Sequence, residues 1–220
     1  EGRLSGGSGV RDAGYPTTAG AFDAAFNGGD FDFGISVFSS DGSTLEYSTY
    51  LGGSNLDYPH SLVTNSDGDI YAMGTTGSAD FPTTAGAFQE AFIGGPFIDL
   101  GSYSFYQSFS VGCDIILSKI DGNDGSLEAS TFLGGTENDG LNLGTQLNYN
   151  YGDVCRGEVM VDPQGDVWVA TSTRSNDFPM ANAFDPGLNG TSDAVIVRLS
   201  EDLAELEFSS YFGGNQDDAA

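Results

Sequence analysis

The chain has 220 residues, 33 of them glycine, and sets 32 acidic against 6 basic residues for a net charge of −26. That charge repels phosphate backbones and anionic membranes and argues against nucleic acid as a partner. No apolar run approaches the roughly 20 residues that a membrane-spanning helix needs.

Glycine and Asp-Gly pairs recur throughout, which predicts short strands and tight turns in place of helices. The acidity suits solubility at high salt or outside a cell, or the binding of divalent cations by some of the carboxylates. The chain opens on Glu1 in mid-repeat with no leader segment, which reads as a piece of a longer protein.

In chain order, the first distinctive stretch is 15–22, Tyr-Pro-Thr-Thr-Ala-Gly-Ala-Phe. It returns at 81–88 as Phe-Pro-Thr-Thr-Ala-Gly-Ala-Phe and at 178–184 as Phe-Pro-Met-Ala-Asn-Ala-Phe. Interleaved with it is 45–53, Leu-Glu-Tyr-Ser-Thr-Tyr-Leu-Gly-Gly, which returns at 127–135 and at 206–214. Two interleaved elements in three copies make this a repeat protein.

Aligning the copies predicts a unit of four strands. Strand a is the Leu-Glu element, and strand b covers 60–65 and 158–162. Strand c covers 70–75 and 167–173, and strand d covers 33–39, 115–120 and 194–199. All are rich in Val, Ile, Phe and Tyr. The b–c and d–a connections are short and carry Asp, Gly and Ser, as hairpins do. The a–b and c–d connections are long. Up-and-down pairing therefore puts tight turns at one end of the sheet and long loops at the other.

Two insertions lengthen the loop end, at about 96–112 and about 138–153. They are aromatic and Gly-rich, and insertions on one face of a repeat array often carry binding. Tyr103, Phe105, Tyr106, Tyr149 and Tyr151 are the candidate ligand-binding residues within them. Strand order also puts Cys113 and Cys155 at this end, one closing each insertion, which predicts a Cys113–Cys155 disulfide. Asp121, Asn123 and Asp124, in a turn with the composition of a calcium loop, form the best candidate metal group. His60 is the single histidine, and no partners for a triad or a histidine metal site can be assigned to it. Asn189-Gly190-Thr191 is a formal glycosylation sequon. No nucleophile-elbow, zincin or phosphate-loop pattern is present, so no catalytic residue is assigned.

The repeats resemble the SBBP family of β-propeller repeats. The motifs that carry the resemblance are Tyr-Ser-Thr-Tyr-Leu-Gly-Gly at 47–53, Val-Asp-Pro-Gln-Gly-Asp-Val-Trp-Val at 161–169, Ser-Ala-Asp-Phe-Pro-Thr-Thr-Ala-Gly-Ala-Phe at 78–88, and the strand at 192–197. The resemblance implies an all-β propeller of four-stranded antiparallel blades. On this reading the chain holds about three blades' worth of a larger propeller: a partial blade over 1–46, blades over about 47–120 and 127–199, and the start of another over 206–220.

The resemblance further implies a secreted or cell-surface setting. The expected function is a non-enzymatic scaffold or adhesion platform that contacts other parts of a longer chain or a surface assembly. The alternative is a glycan-binding or glycan-cleaving propeller with its site in the long loops. No cofactor is expected, apart from calcium at the acidic turn.

Overall fold

The computed structural model describes residues 3–101, 107–143 and 154–220. Runs of β-branched and aromatic residues broken by Gly and Asp form strands throughout, and no helix forms among the described residues. The first sheet comprises β1 (Leu4–Val10), β2 (Asp32–Phe38) and β3 (Leu45–Leu51). The second comprises β4 (Asp57–Thr64), β5 (Ile70–Thr76), β8 (Asp114–Ile120) and β9 (Leu127–Leu133). Between β5 and β8, a short ribbon of β6 (Ile98–Asp99) and β7 (Ser108–Phe109) folds within the first insertion. The third sheet comprises β10 (Gly157–Val161), β11 (Val167–Thr173), β12 (Asp193–Leu199) and β13 (Leu206–Phe212).

All pairings between strands of a sheet are antiparallel and join neighbours in sheet order. Each Leu-Glu strand pairs with the strand before it, and each such pair carries a register shift at the same place, next to the hairpin. The sheets therefore divide after the Gly-Gly, not near the start of the Leu-Glu strand, at about 47, 127 and 206, as the sequence division had it. The tight d–a turn makes a hairpin that holds the two strands in one sheet, whereas the chain crosses to the next sheet through the Gly-Gly loop.

The middle sheet is buried on both faces, with every residue of β5 and β8 inside. Strand periodicity sends Ile70, Ala72, Ile116 and Phe132 to one side, against Phe33, Ile35, Val37 and Leu51 of the first sheet. Tyr71, Met73, Ile115, Leu117 and Leu133 face the other side, against Val159, Val169, Val195 and Val197 of the third sheet. Phe81 fills the first seam and Phe178 the second. β4 lies against β1 and β2, and β10 against β4 and β5. Sheets stacked face to face in chain order around their first strands are the blades of a propeller. Burying each large apolar side chain contributes about 1.5–3 kcal/mol, so the seams supply most of the stabilisation.

The third sheet is covered on one face only. Val195, Val197 and Leu199 are buried, while Ile196 on the opposite side is 36% exposed. Trp168 is only half-buried for this reason. It lies on the uncovered face, with Arg198 5.5 Å from its ring centroid. Tyr50, Phe132 and Tyr211, at equivalent places in the Leu-Glu strands, are all buried.

Candidate functional site

The polar chemistry of the described residues concentrates where the long loops meet the sheet ends, and it is repeated. In the first seam Asp57, at the start of β4, is fully buried. Its carboxylate accepts the Gly53 amide at 2.6 Å, the Ser78 hydroxyl at 3.0 Å and the Thr76 hydroxyl. The Thr76 and Ser78 side chains accept in turn from the Ser78 and Asn55 amides. Asp80 accepts the Ser54 amide at 2.9 Å.

The second seam repeats this group by group. Asp139 accepts the Gly135 amide at 2.8 Å, the Ser175 hydroxyl at 3.1 Å and the Thr173 hydroxyl. Ser175 Oγ accepts the Glu137 amide, and Asp177 accepts the Thr136 amide at 2.9 Å. The knot ties the last strand of one sheet to the first two strands of the next.

A second carboxylate row caps the loops within each sheet. Asp32 accepts the Asn27 amide, Asp114 accepts the amides of Ile93 and Gly94, and Asp193 accepts those of Asn189 and Gly190. Both rows explain the Gly-Gly pair. A Cβ on Gly52, Gly134 or Gly213 would lie 2.6–2.7 Å from the Asp of its own sheet. A Cβ on Gly53 or Gly135 would lie 2.5–2.6 Å from the Ser and Asp of the following sheet.

Burial dominates the electrostatics of these groups. It pushes the Asp57 and Asp139 carboxyls up to about 7 and those of Asp32 and Asp114 up to about 6, against the hydrogen bonds that pull them down. Perturbed carboxyls mark active sites when they face a cleft. Here Asp57 and Asp139 are spent on hydroxyls and amides of their own loops, so their chemistry is structural.

Asp80 and Asp177 thus each accept a loop amide from the preceding Gly-Gly connection. Asp57 and Asp139 were not singled out from the sequence. Their trace was present: Gly-Gly-x-x-x-Asp occurs at 52–57, 134–139 and 213–218. Its partner, Thr-x-Ser-x-Asp, occurs at 76–80 and 173–177.

Tyr103, Phe105, Tyr106, Tyr149 and Tyr151 lie outside the described residues. The flanks of their insertions fold inward, and Leu100, Phe109, Leu141 and Val154 join a small apolar cluster with Leu56, Cys113 and Cys155. The two cysteines are thus brought into one cluster, but the expected disulfide does not form. The Cys113 thiol turns instead to the Asp139 carbonyl at 3.4 Å and to Asn138 Oδ1 at 3.6 Å, and burial raises it well above the ordinary thiol range.

At the opposite end, Asp121 accepts the amides of Asn123 and Asp124 at 2.6 and 2.9 Å, and Asp124 accepts the Ser126 amide at 2.9 Å. These carboxylates cap their own turn. Among the described residues, no group of three or more His, Cys, Asp or Glu is arranged to hold a metal ion. The Asn189 side chain of the sequon donates to Asp185 Oδ2 at 2.8 Å.

His60 lies at a bulge in β4, with Nε2 2.9 Å from Thr75 Oγ1 and Nδ1 buried without a hydrogen-bond partner. It lines a cavity of about 230 Å³ between the first and second sheets, together with Gly7, Phe31, Tyr58 and Leu62. Burial pushes its pKa down to about 3, so the ring is neutral.

No curated protein matches the chain. Residues 46–82 match the model of the SBBP beta-propeller repeat. That stretch runs from the last strand of the first sheet to Pro82 and so contains one whole Gly53–Asp57–Thr76–Ser78–Asp80 knot. Stacked antiparallel sheets, a knot repeated at each seam and this match together make the chain a run of β-propeller blades that carries an SBBP beta-propeller repeat at residues 46–82.

Proposed function

We propose that the chain is a non-enzymatic module of a secreted or cell-surface protein, acting as a scaffold or adhesion platform and presenting its long loops to other parts of a surface assembly. The observation that carries this reading is the use of the buried carboxylates. Asp57 and Asp139 are consumed by hydroxyls and amides of the repeat itself, which leaves them no capacity for proton transfer to a substrate. The net charge of −26 supports a setting at high salt or outside a cell.

The test is purification of the protein from its native surface under mild conditions, alongside glycan-array binding of the recombinant chain. Recovery in a large surface complex with no glycan binding is the expected result. Saturable glycan binding that is lost on Tyr103→Ala or Tyr149→Ala would replace the scaffold reading with the glycan-binding one.

A further inference from the structure

The cavity beside His60 has two causes, and each is a departure from the repeat. The first lies on β1. The pairing registers put Gly7 and Gly9 in the places of Met73 and Thr75 of the second sheet. Met73 and Thr75 are fully buried, and Met73 fills the second seam against Gly157 of β10. In the first seam the corresponding side chains are missing. A Cβ on Gly7 would meet Leu62 at 3.3 Å and one on Gly9 would meet Phe31 at 3.0 Å, so both positions face residues of the cavity wall.

The second departure lies on β4. Pro59 and Ser61 pair with adjacent residues of β5, which leaves His60 as an extra residue between them. In the next copy Gly157 and Glu158 follow one another on β11 with no extra residue. A bulge of this kind re-aims a side chain, and bulges gather beside functional sites. The imidazole it delivers is held by Thr75 Oγ1, 2.9 Å from Nε2, and forms part of the cavity wall.

The wall decides what fits. Phe31, Tyr58 and His60 follow one another edge to face, with ring centroids 5.7 and 6.2 Å apart, and another aromatic ring extends such a series. Among the described residues, no Asp, Glu, Asn, Gln, Lys or Arg side chain lines the cavity. A sugar would find no carboxylate or amide for its hydroxyls, an anion no cation, and a cation no carboxylate. Arg11 already covers Phe31, 4.8 Å from the ring centroid, which sets a positive charge against a cationic ligand. The volume of about 230 Å³ compares with about 150 Å³ for an apolar cavity that holds benzene, so it suits one substituted ring.

We propose that this cavity binds an uncharged molecule built on a single aromatic ring, seated between the bare stretch of β1 and the rings of Phe31, Tyr58 and His60. Such binding does not depend on the surface role proposed above, so either can fail alone.

His60 is the single histidine, and its ring protons report on the cavity in the NMR spectrum of the 220-residue chain. Benzyl alcohol is the probe, with benzoate and benzylammonium as charged counterparts and methyl glucoside as a sugar. Benzyl alcohol should move the His60 signals saturably, and the other three should bind at least about ten-fold more weakly. Gly7→Met restores the side chain that fills the second seam. It should raise the Tm and weaken benzyl alcohol binding at least about ten-fold. Gly6→Met makes the same change one residue away, where a Cβ meets nothing within 4 Å, and should leave binding as it was. The absence of a saturable shift with benzyl alcohol, equal binding of a charged counterpart or of the sugar, or undiminished binding by folded Gly7→Met overturns the assignment. Where Gly7→Met does not fold, the probe series on the unaltered chain decides alone.

Discussion

At the scale of single residues, the least replaceable groups are the knot aspartates and the glycines they meet. Asp139→Ala leaves the Gly135 amide and the Thr173 and Ser175 hydroxyls as buried donors without an acceptor. Each unsatisfied buried group costs about 1–3 kcal/mol, so the variant should lose about 3 kcal/mol or more in urea denaturation. The two glycines of equivalent sequence should behave differently. Gly135→Ala drives a Cβ to 2.5 Å from Asp177 Oδ1 and should cost about 1–3 kcal/mol, whereas Gly214→Ala meets nothing closer than 3.7 Å and should stay within about 0.5 kcal/mol. Equal losses in the two variants would show that Gly214 is already enclosed.

At the scale of the element, what a strand buries depends on which sheet it sits in. β8 and β12 occupy the same place in their sheets, yet β8 is buried at every position and β12 alternates on its uncovered side. Leu117→Ala should therefore cost about 2–5 kcal/mol, and the equivalent Ile196→Ala less than about 1 kcal/mol, both read as shifts in denaturation midpoint at constant m-value. The seam also carries one buried cation. Lys119 reaches Glu201 of the third sheet at 2.9 Å, and Glu128 and Asp69 of its own at 3.1 and 3.4 Å; burial pulls its pKa down, and the hydrogen bonds to Glu201 and Glu128 more than offset that and raise it. Arg198, its counterpart one sheet on, pairs with Asp166 and Glu207 of its own sheet.

For the whole molecule, pH is the informative variable. Asp57 and Asp139 titrate near 7 in the folded protein, and Asp32 and Asp114 near 6, against about 4 for an unfolded aspartate. Between those values the folded state holds more protons than the unfolded one, so stability falls as pH rises from about 4 to about 7 and levels off above. His60 works the other way. Folded, it titrates near 3, so it loses stability as pH drops below about 6.5. Four carboxyls outweigh one imidazole, and acidification also relieves a net charge of −26. The protein should be more stable to urea at pH 5 than at pH 8. A profile that is flat or reversed would mean that the knot carboxylates stay ionised on folding.

The sequence by itself determined the repeat, the strands and the contrast between tight turns and long loops. Period-2 alternation in stretches such as Asp-Ala-Val-Ile-Val-Arg-Leu and the Asp-Gly turns are local facts, written in the residues that obey them. Three matters waited for the tertiary structure. Which strands share a sheet follows from the Leu-Glu strand pairing backward, and the repeat's spacing alone reads equally well either way. The Cys113 thiol turns to the Asp139 carbonyl because a loop from the next sheet delivers that acceptor. The knot joins Gly135 and Asp139 to Thr173 and Ser175, more than 30 residues further on, and only stacking one sheet on the next brings those hydroxyls to the carboxylate.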